Sequence, residues 1–157
     1  MTLQPCCYYA GVSKLRFGLP LAVAAIFLVS SCGVEKTATV RVDDIAGKWV
    51  EPGGGSFTIS ADRTFKASSL KADAFVDDGC PAGDVSGTWG FYVDKSDALT
   101  EVSKKASSGA WIGLSFHGVP QGGCSIDLVA VDGGDTLCAS DDPDDPCDLD
   151  VRFSRKP

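Results

Sequence analysis

Val85-Ser86-Gly87-Thr88-Trp89-Gly90-Phe91-Tyr92-Val93 is the stretch on which the fold turns. Val85, Gly87, Trp89, Phe91 and Val93 occupy every second position, with Ser86, Thr88, Gly90 and Tyr92 between them. A side-chain period of two belongs to a β-strand with one face buried. Upstream, Phe57 and Ile59 alternate with Ser56, Thr58 and Ser60; Ala61-Asp62-Arg63-Thr64 reads as a tight turn, and Phe65 resumes the pattern. Downstream, Ile112, Leu114 and Phe116 share a face, as do Ile126, Leu128 and Ala130, while Leu149, Val151 and Phe153 oppose Asp150, Arg152 and Ser154. No segment carries a sustained helical stripe, although Ser96 to Lys105 is weakly patterned and leaves room for a short turn of helix. The expectation is an all-β domain of about eight short antiparallel strands. Strands with one apolar face must cover it, either by closing into an up-and-down β-barrel or by stacking as a β-sandwich.

Length and charge set the outer bounds. The chain has 157 residues, room for one ordinary domain, and its 44% hydrophobic and 22% charged composition is that of a globular protein. A net charge of -7 argues against a nucleic-acid partner, because phosphate affinity needs a basic surface. One histidine, His117, leaves little scope for His-based catalysis or a Cys/His zinc site, and no cofactor is expected.

The N-terminal region is an export signal by composition. Lys14 and Arg16 precede the apolar run Phe17 to Val29, and no Asp or Glu occurs before Glu35. Thirteen residues fall short of the roughly 20 needed to span a bilayer but match the core of a signal peptide. Leu28-Val29-Ser30-Ser31-Cys32 resembles the lipobox of bacterial lipoproteins, with Val29 where Leu is most usual. That resemblance implies cleavage after residue 31, a diacylglyceryl group on Cys32 and acylation, as by palmitate, of its new amino group. The segment before Lys14, with Cys6 and Cys7, exceeds what such a leader needs, and translation starting near Val12 would remove both cysteines. The expected organisation is a removed signal over 1–31, lipidated Cys32 with a flexible tether over 32–44, and a β domain over 45–157. Loss of Lys14 and Arg16 leaves twelve basic against twenty-one acidic residues, or -9, so lipid rather than basic side chains would hold the protein at a cell membrane, facing away from the cytoplasm.

Cys80, Cys124, Cys138 and Cys147 remain in that exported domain, an even number that reads as disulfides. Four cysteines allow three connectivities. Cys138–Cys147 is favoured because it closes a short acidic, Pro-containing loop between two apparent strands, leaving Cys80–Cys124. Loop entropy gives about 2.5–3 kcal/mol for the first and about 4 kcal/mol for the second. The spacings lack a Cys-x-x-Cys pair, so no metal is expected.

Gly47-Lys48-Trp49 near the domain's start and Gly87-Thr88-Trp89 form two copies of a Gly-x-Trp pattern. The first resembles the opening of lipocalin-like and wider calycin barrels, in which Trp packs across the closed end beneath a basic residue of the last strand. That resemblance implies a barrel and points to Arg152 or Arg155 as the covering residue. The whole is also similar to small exported lipoproteins of high-GC Gram-positive bacteria.

Other candidates are weaker. Ser115 and His117, with Trp111 nearby, suggest a hydrolytic pair, but no Gly-x-Ser-x-Gly turn is present and Ser115 lies within a strand pattern. Asp141, Asp142, Asp144, Asp145, Asp148 and Asp150 could supply oxygens to calcium, yet match no EF-hand and read first as a solvated loop. Gly53-Gly54-Gly55 precedes a strand rather than a helix, so it reads as a hairpin and not a phosphate loop. The expectation is a non-enzymatic lipoprotein whose β domain binds a small apolar ligand at the cell envelope. Its rival is a protein-interaction or structural module without a pocket, which the Trp and Phe content of the interior favours.

Overall fold

A computed structural model of the chain describes residues 35–70, 75, 79–94 and 99–156. In chain order the elements are β1 (Val40–Arg41), α1 (Val42–Ile45), β2 (Gly47–Val50), β3 (Ser56–Ile59), β4 (Thr64–Leu70), β5 (Gly83–Asp94), β6 (Leu99–Ser103), β7 (Ser108–Gly109), β8 (Trp111–Phe116), β9 (Asp127–Val131), β10 (Thr136–Ser140) and β11 (Arg152–Arg155). Strands β2, β3, β4, β5, β8, β9, β10 and β11 pair antiparallel in that order, and β11 returns to β2 through Ser154↔Val50 and Arg155↔Trp49. The ring is therefore a closed eight-stranded up-and-down barrel, not a sandwich.

β5 explains one irregularity. Gly87 pairs with Phe65 of β4 on one edge and Phe116 of β8 on the other, while Phe91 pairs with Ser103 of β6 and Ile112 of β8. At twelve residues, β5 is long enough for β4 to use its first half and β6 its second, along the same edge. The segment left open to a helical turn thus contains a strand, β6; residues 95–98 lie outside the described set.

The inward faces fill the barrel. Trp49, Phe57, Phe91 and Phe153 are 0% exposed and Trp89, Phe65 and Phe75 1%. Phe57 meets Phe153, and Phe65 meets Phe116, edge to face at 5.1 Å between centroids. Gly87 is required by this packing, since a Cβ there would lie 2.7 Å from the Phe65 ring and 2.1 Å from the Ser115 carbonyl. Each Gly-x-Trp tryptophan finds an acceptor for its indole N–H: Trp49 donates to Ile45 O at 2.8 Å and Trp89 to Ser60 O at 2.9 Å. Gly47 has φ 145°, a conformation that suits glycine.

The covering arginines are divided differently from the sequence reading. Arg155 lies over Trp49 at 4.8 Å, the role expected of the last strand. Arg152 does not share it, because it faces the opposite side and is held by Glu35. Trp89 is covered by Arg63 of the β3–β4 turn at 4.3 Å, whose Nη2 donates to the Ala106 carbonyl.

The tether reading of 32–44 is corrected from Glu35 onward. Thr37 bridges to Val131, the Ala38 N–H donates to Ala130 O at 2.7 Å, and Val40 and Arg41 pair with Gly109 and Ser108. Such short pairings leave no repeating pattern in the sequence, so only Val40 and Val42 hint at them. Residues 1–34, and with them the leader and Cys32, lie outside the described residues. Among the described residues no helix is long and apolar enough to cross a membrane.

Candidate binding face

Two depressions lined by described residues lie outside the barrel, on the side where the 141–150 loop returns over β9 and β10. β9 shows why that side differs: Leu128, Val129, Ala130 and Val131 are all fully buried. Leu128 and Ala130 join the interior, while Val129 and Val131 join Cys138 and Cys147 in a second cluster against which Trp111 packs. A strand buried on both faces loses its alternation.

Disulfide Cys138–Cys147 pins the loop to β10, and Cys80–Cys124 joins the segments preceding β5 and β9, the connectivity favoured from spacing. Ser140 is wholly buried; its Oγ lies 2.8 Å from Asp142 O and 3.2 Å from Asp145 O, and accepts from the Asp142 N–H at 3.3 Å. Asp142 Oδ1 accepts from the Asp144 N–H at 2.8 Å, and Asp148 Oδ1 from the Asp141 N–H at 3.3 Å. Much of the aspartate chemistry therefore shapes the loop itself. Among the described residues these carboxylates form no group of three within 4.8 Å of one another; the one gathering that does is Glu35 with Cys138 and Cys147. Both of those sulfurs are in the disulfide, so they offer no thiolate to a metal.

The first depression, about 300 Å³, is lined by Glu35, Asp145, Pro146, Cys147, Asp148, Asp150 and Arg152. Arg152 donates to both Glu35 oxygens, at 2.7 and 2.6 Å, and this bond holds the Glu35 carboxyl below its usual range.

The second, about 220 Å³, is lined by Tyr92, Trp111, Asp127, Ser140, Asp141 and Pro143. Gly113 stands opposite Asp127 on β9 and Gly90 on β5. A Cβ on Gly113 would come 2.3 Å from Val102 and 3.2 Å from the Tyr92 ring. Its absence lets Tyr92 reach across β8 to hydrogen-bond the Asp127 carboxylate, which also accepts from the Leu114 N–H. Burial pushes Asp127 up to about 6, opposed by those two hydrogen bonds. Burial, followed by the charge of Asp127, raises Tyr92 above the ordinary phenol range.

The hydrolytic pair does not form. Ser115 is exposed on β8, and His117 Nδ1 lies 3.2 Å from Ser86 Oγ instead, with both side chains in solvent. Gly53 to Gly55 form the β2–β3 hairpin, where the Glu51 N–H donates to Gly55 O at 2.8 Å. Tyr92, Ser140 and Glu35 escaped the sequence reading. Tyr92 carried a signal, an aromatic on the polar side of β5, whereas one acid among twenty-one carries none.

No family model matches the chain, and no curated protein or solved structure is significantly similar to it.

Proposed function

We propose that this protein is a lipid-anchored, extracytoplasmic lipoprotein whose barrel is a non-enzymatic interaction module, engaging an envelope partner through its outer face. The observation that carries the interaction reading is the packed interior: aromatic side chains occupy the space a lipocalin-like barrel would give to an apolar ligand, while both depressions lie outside. The anchor rests on the leader, the lipobox-like Leu28-Val29-Ser30-Ser31-Cys32 and the acidic charge, which leaves acyl chains as the means of attachment. The paired cysteines suit an oxidising compartment.

Only Gly33 and Val34 separate Cys32 from Glu35, a span of about 10 Å when extended. A lipid on Cys32 would therefore hold the barrel close to the bilayer, since Glu35 is ion-paired to Arg152 of β11. Fractionation of cells expressing the full chain tests this. The wild type should sediment with membranes and be released by detergent, and Cys32→Ala should leave that fraction. Equal membrane association of the two would remove the anchor from the proposal.

A further inference from the structure

We propose that the Cys138–Cys147 bond, Arg152 and Glu35 form a redox-sensitive clasp. When a dithiol reduces the bond, the Arg152 guanidinium passes from the Glu35 carboxylate to the Cys138 thiolate, and the segment that begins at Glu35 is released from β11. This goes beyond the interaction reading, and the coupling holds with or without a lipid on Cys32.

The three groups already touch. Arg152 Nη1 donates to Glu35 Oε1 at 2.7 Å and lies 3.4 Å from Cys138 Sγ, while Nη2 donates to Glu35 Oε2 at 2.6 Å. A Glu35 oxygen and both sulfurs lie within 4.8 Å of one another. Access is one-sided: Cys147, 4% exposed, lines the depression with Glu35, Asp145, Asp148 and Asp150, whereas Cys138 is wholly buried. The thiolate of a dithiol therefore attacks Cys147 Sγ, and the Cys138–Cys147 bond breaks with its electron pair leaving on Cys138 Sγ. The dithiol's second sulfur then displaces Cys147, passes its proton to that sulfur and closes a disulfide. The dithiol loses two electrons and the protein bond gains them, leaving Cys138 as thiolate and Cys147 as thiol. A neutral disulfide sulfur is a weak acceptor, but a thiolate buried away from solvent gains strongly from a guanidinium. Glu35 has less to lose. Its side chain is 27% exposed and that of Arg152 40%, so water can replace the guanidinium at the small cost typical of exposed ion pairs. Repulsion between the new thiolate and the carboxylate pushes the same way. Beyond Glu35 the segment is held by the Thr37 bridge to Val131, the Ala38 N–H on Ala130 O and the two-residue strand β1, so the ion pair is a substantial part of its attachment. By linkage, an engaged Glu35 in turn opposes reduction.

The reduction equilibrium of each disulfide in the full chain tests the clasp. The protein is equilibrated in mixtures of reduced and oxidised dithiothreitol, alkylated, and resolved by peptide mass spectrometry. Glu35→Gln should ease reduction of Cys138–Cys147 by about tenfold, ~30 mV for a two-electron couple, and Arg152→Gln should hinder it by a similar factor. Cys80–Cys124 should move with neither. Both substitutions break the ion pair, so simple loosening of the fold shifts the equilibrium the same way in both variants, whereas the clasp shifts it in opposite directions. Shifts in one common direction, or no shift, overturn the proposal. A second measurement dispenses with reduction and serves if Arg152→Gln fails to fold. Cys147→Ala keeps the Cys138 sulfur beside Arg152 and Cys138→Ala removes it, while both lack the bond. Amide hydrogen exchange over Glu35–Arg41 should be faster in Cys147→Ala, where the freed sulfur competes for Arg152. Equal or slower exchange in Cys147→Ala overturns the release of the segment.

Discussion

Asp127 is a carboxylate whose charged form the fold disfavours. It titrates near 6 in the folded chain against an ordinary value of 3.8, so between those values the folded state holds more protons than the unfolded one. Stability supplied by protonated Asp127 is therefore full below about pH 4 and lost as pH rises through 6, a change of about 2–3 kcal/mol. Glu35, Asp44 and Asp62 act in the opposite sense, their lowered values giving stability above the ordinary carboxylate range that is lost as pH falls. Asp127→Asn keeps an oxygen for the Tyr92 and Leu114 donors without the charge. Urea unfolding should show the variant more stable than wild type at pH 7.5 and the difference closing toward pH 4.5. A difference that stays constant with pH would show that ionisation of Asp127 is not what the fold resists. Little of this was legible beforehand. Trp49 and Trp89 announced their places through the Gly-x-Trp repeat, and Arg155 followed from lying on the last strand. Asp127 gains its character from Tyr92, thirty-five positions earlier, and from the missing side chain of Gly113.

Among the elements, strands that bury one face were readable, whereas β6, which pairs with β5, and β10, buried from Leu137 to Ser140, were not, and neither were the short pairings of Thr37 to Arg41. β3, β4, β5 and β8 each bury alternate residues, so period two revealed them. The Glu35–Arg41 segment contributes one bridge and a two-residue strand, and its anchoring ion pair spans 117 positions to Arg152. β9 concealed its second buried face, because its outward valines are covered by a loop that reads as solvated aspartate. That cover depends on the Cys138–Cys147 bond across nine positions. Replacing both cysteines by alanine should cost about 2–3 kcal/mol in chemical unfolding. It should also shift Trp111 emission to the red as the loop lifts from Val129 and Val131. An unshifted spectrum would mean that the loop stays seated without its covalent link.

At the scale of the whole molecule, the closed barrel was one of two architectures the strand pattern permitted. The β11–β2 pairing decides between them. Closure leaves no free edge in the ring, and aromatic side chains fill its interior. The proposed biology then joins three parts: a leader that directs export, an acylated cysteine that retains the domain at the membrane, and two disulfides suited to oxidising surroundings. Intact-mass and peptide mass spectrometry of the protein purified from native membranes tests that claim most directly. The account predicts a chain beginning at Cys32 with diacylglyceryl attached, Cys80 linked to Cys124, and Cys138 linked to Cys147. A chain that keeps residues 1–31, bears no lipid and carries Cys80, Cys124, Cys138 and Cys147 as free thiols would contradict it.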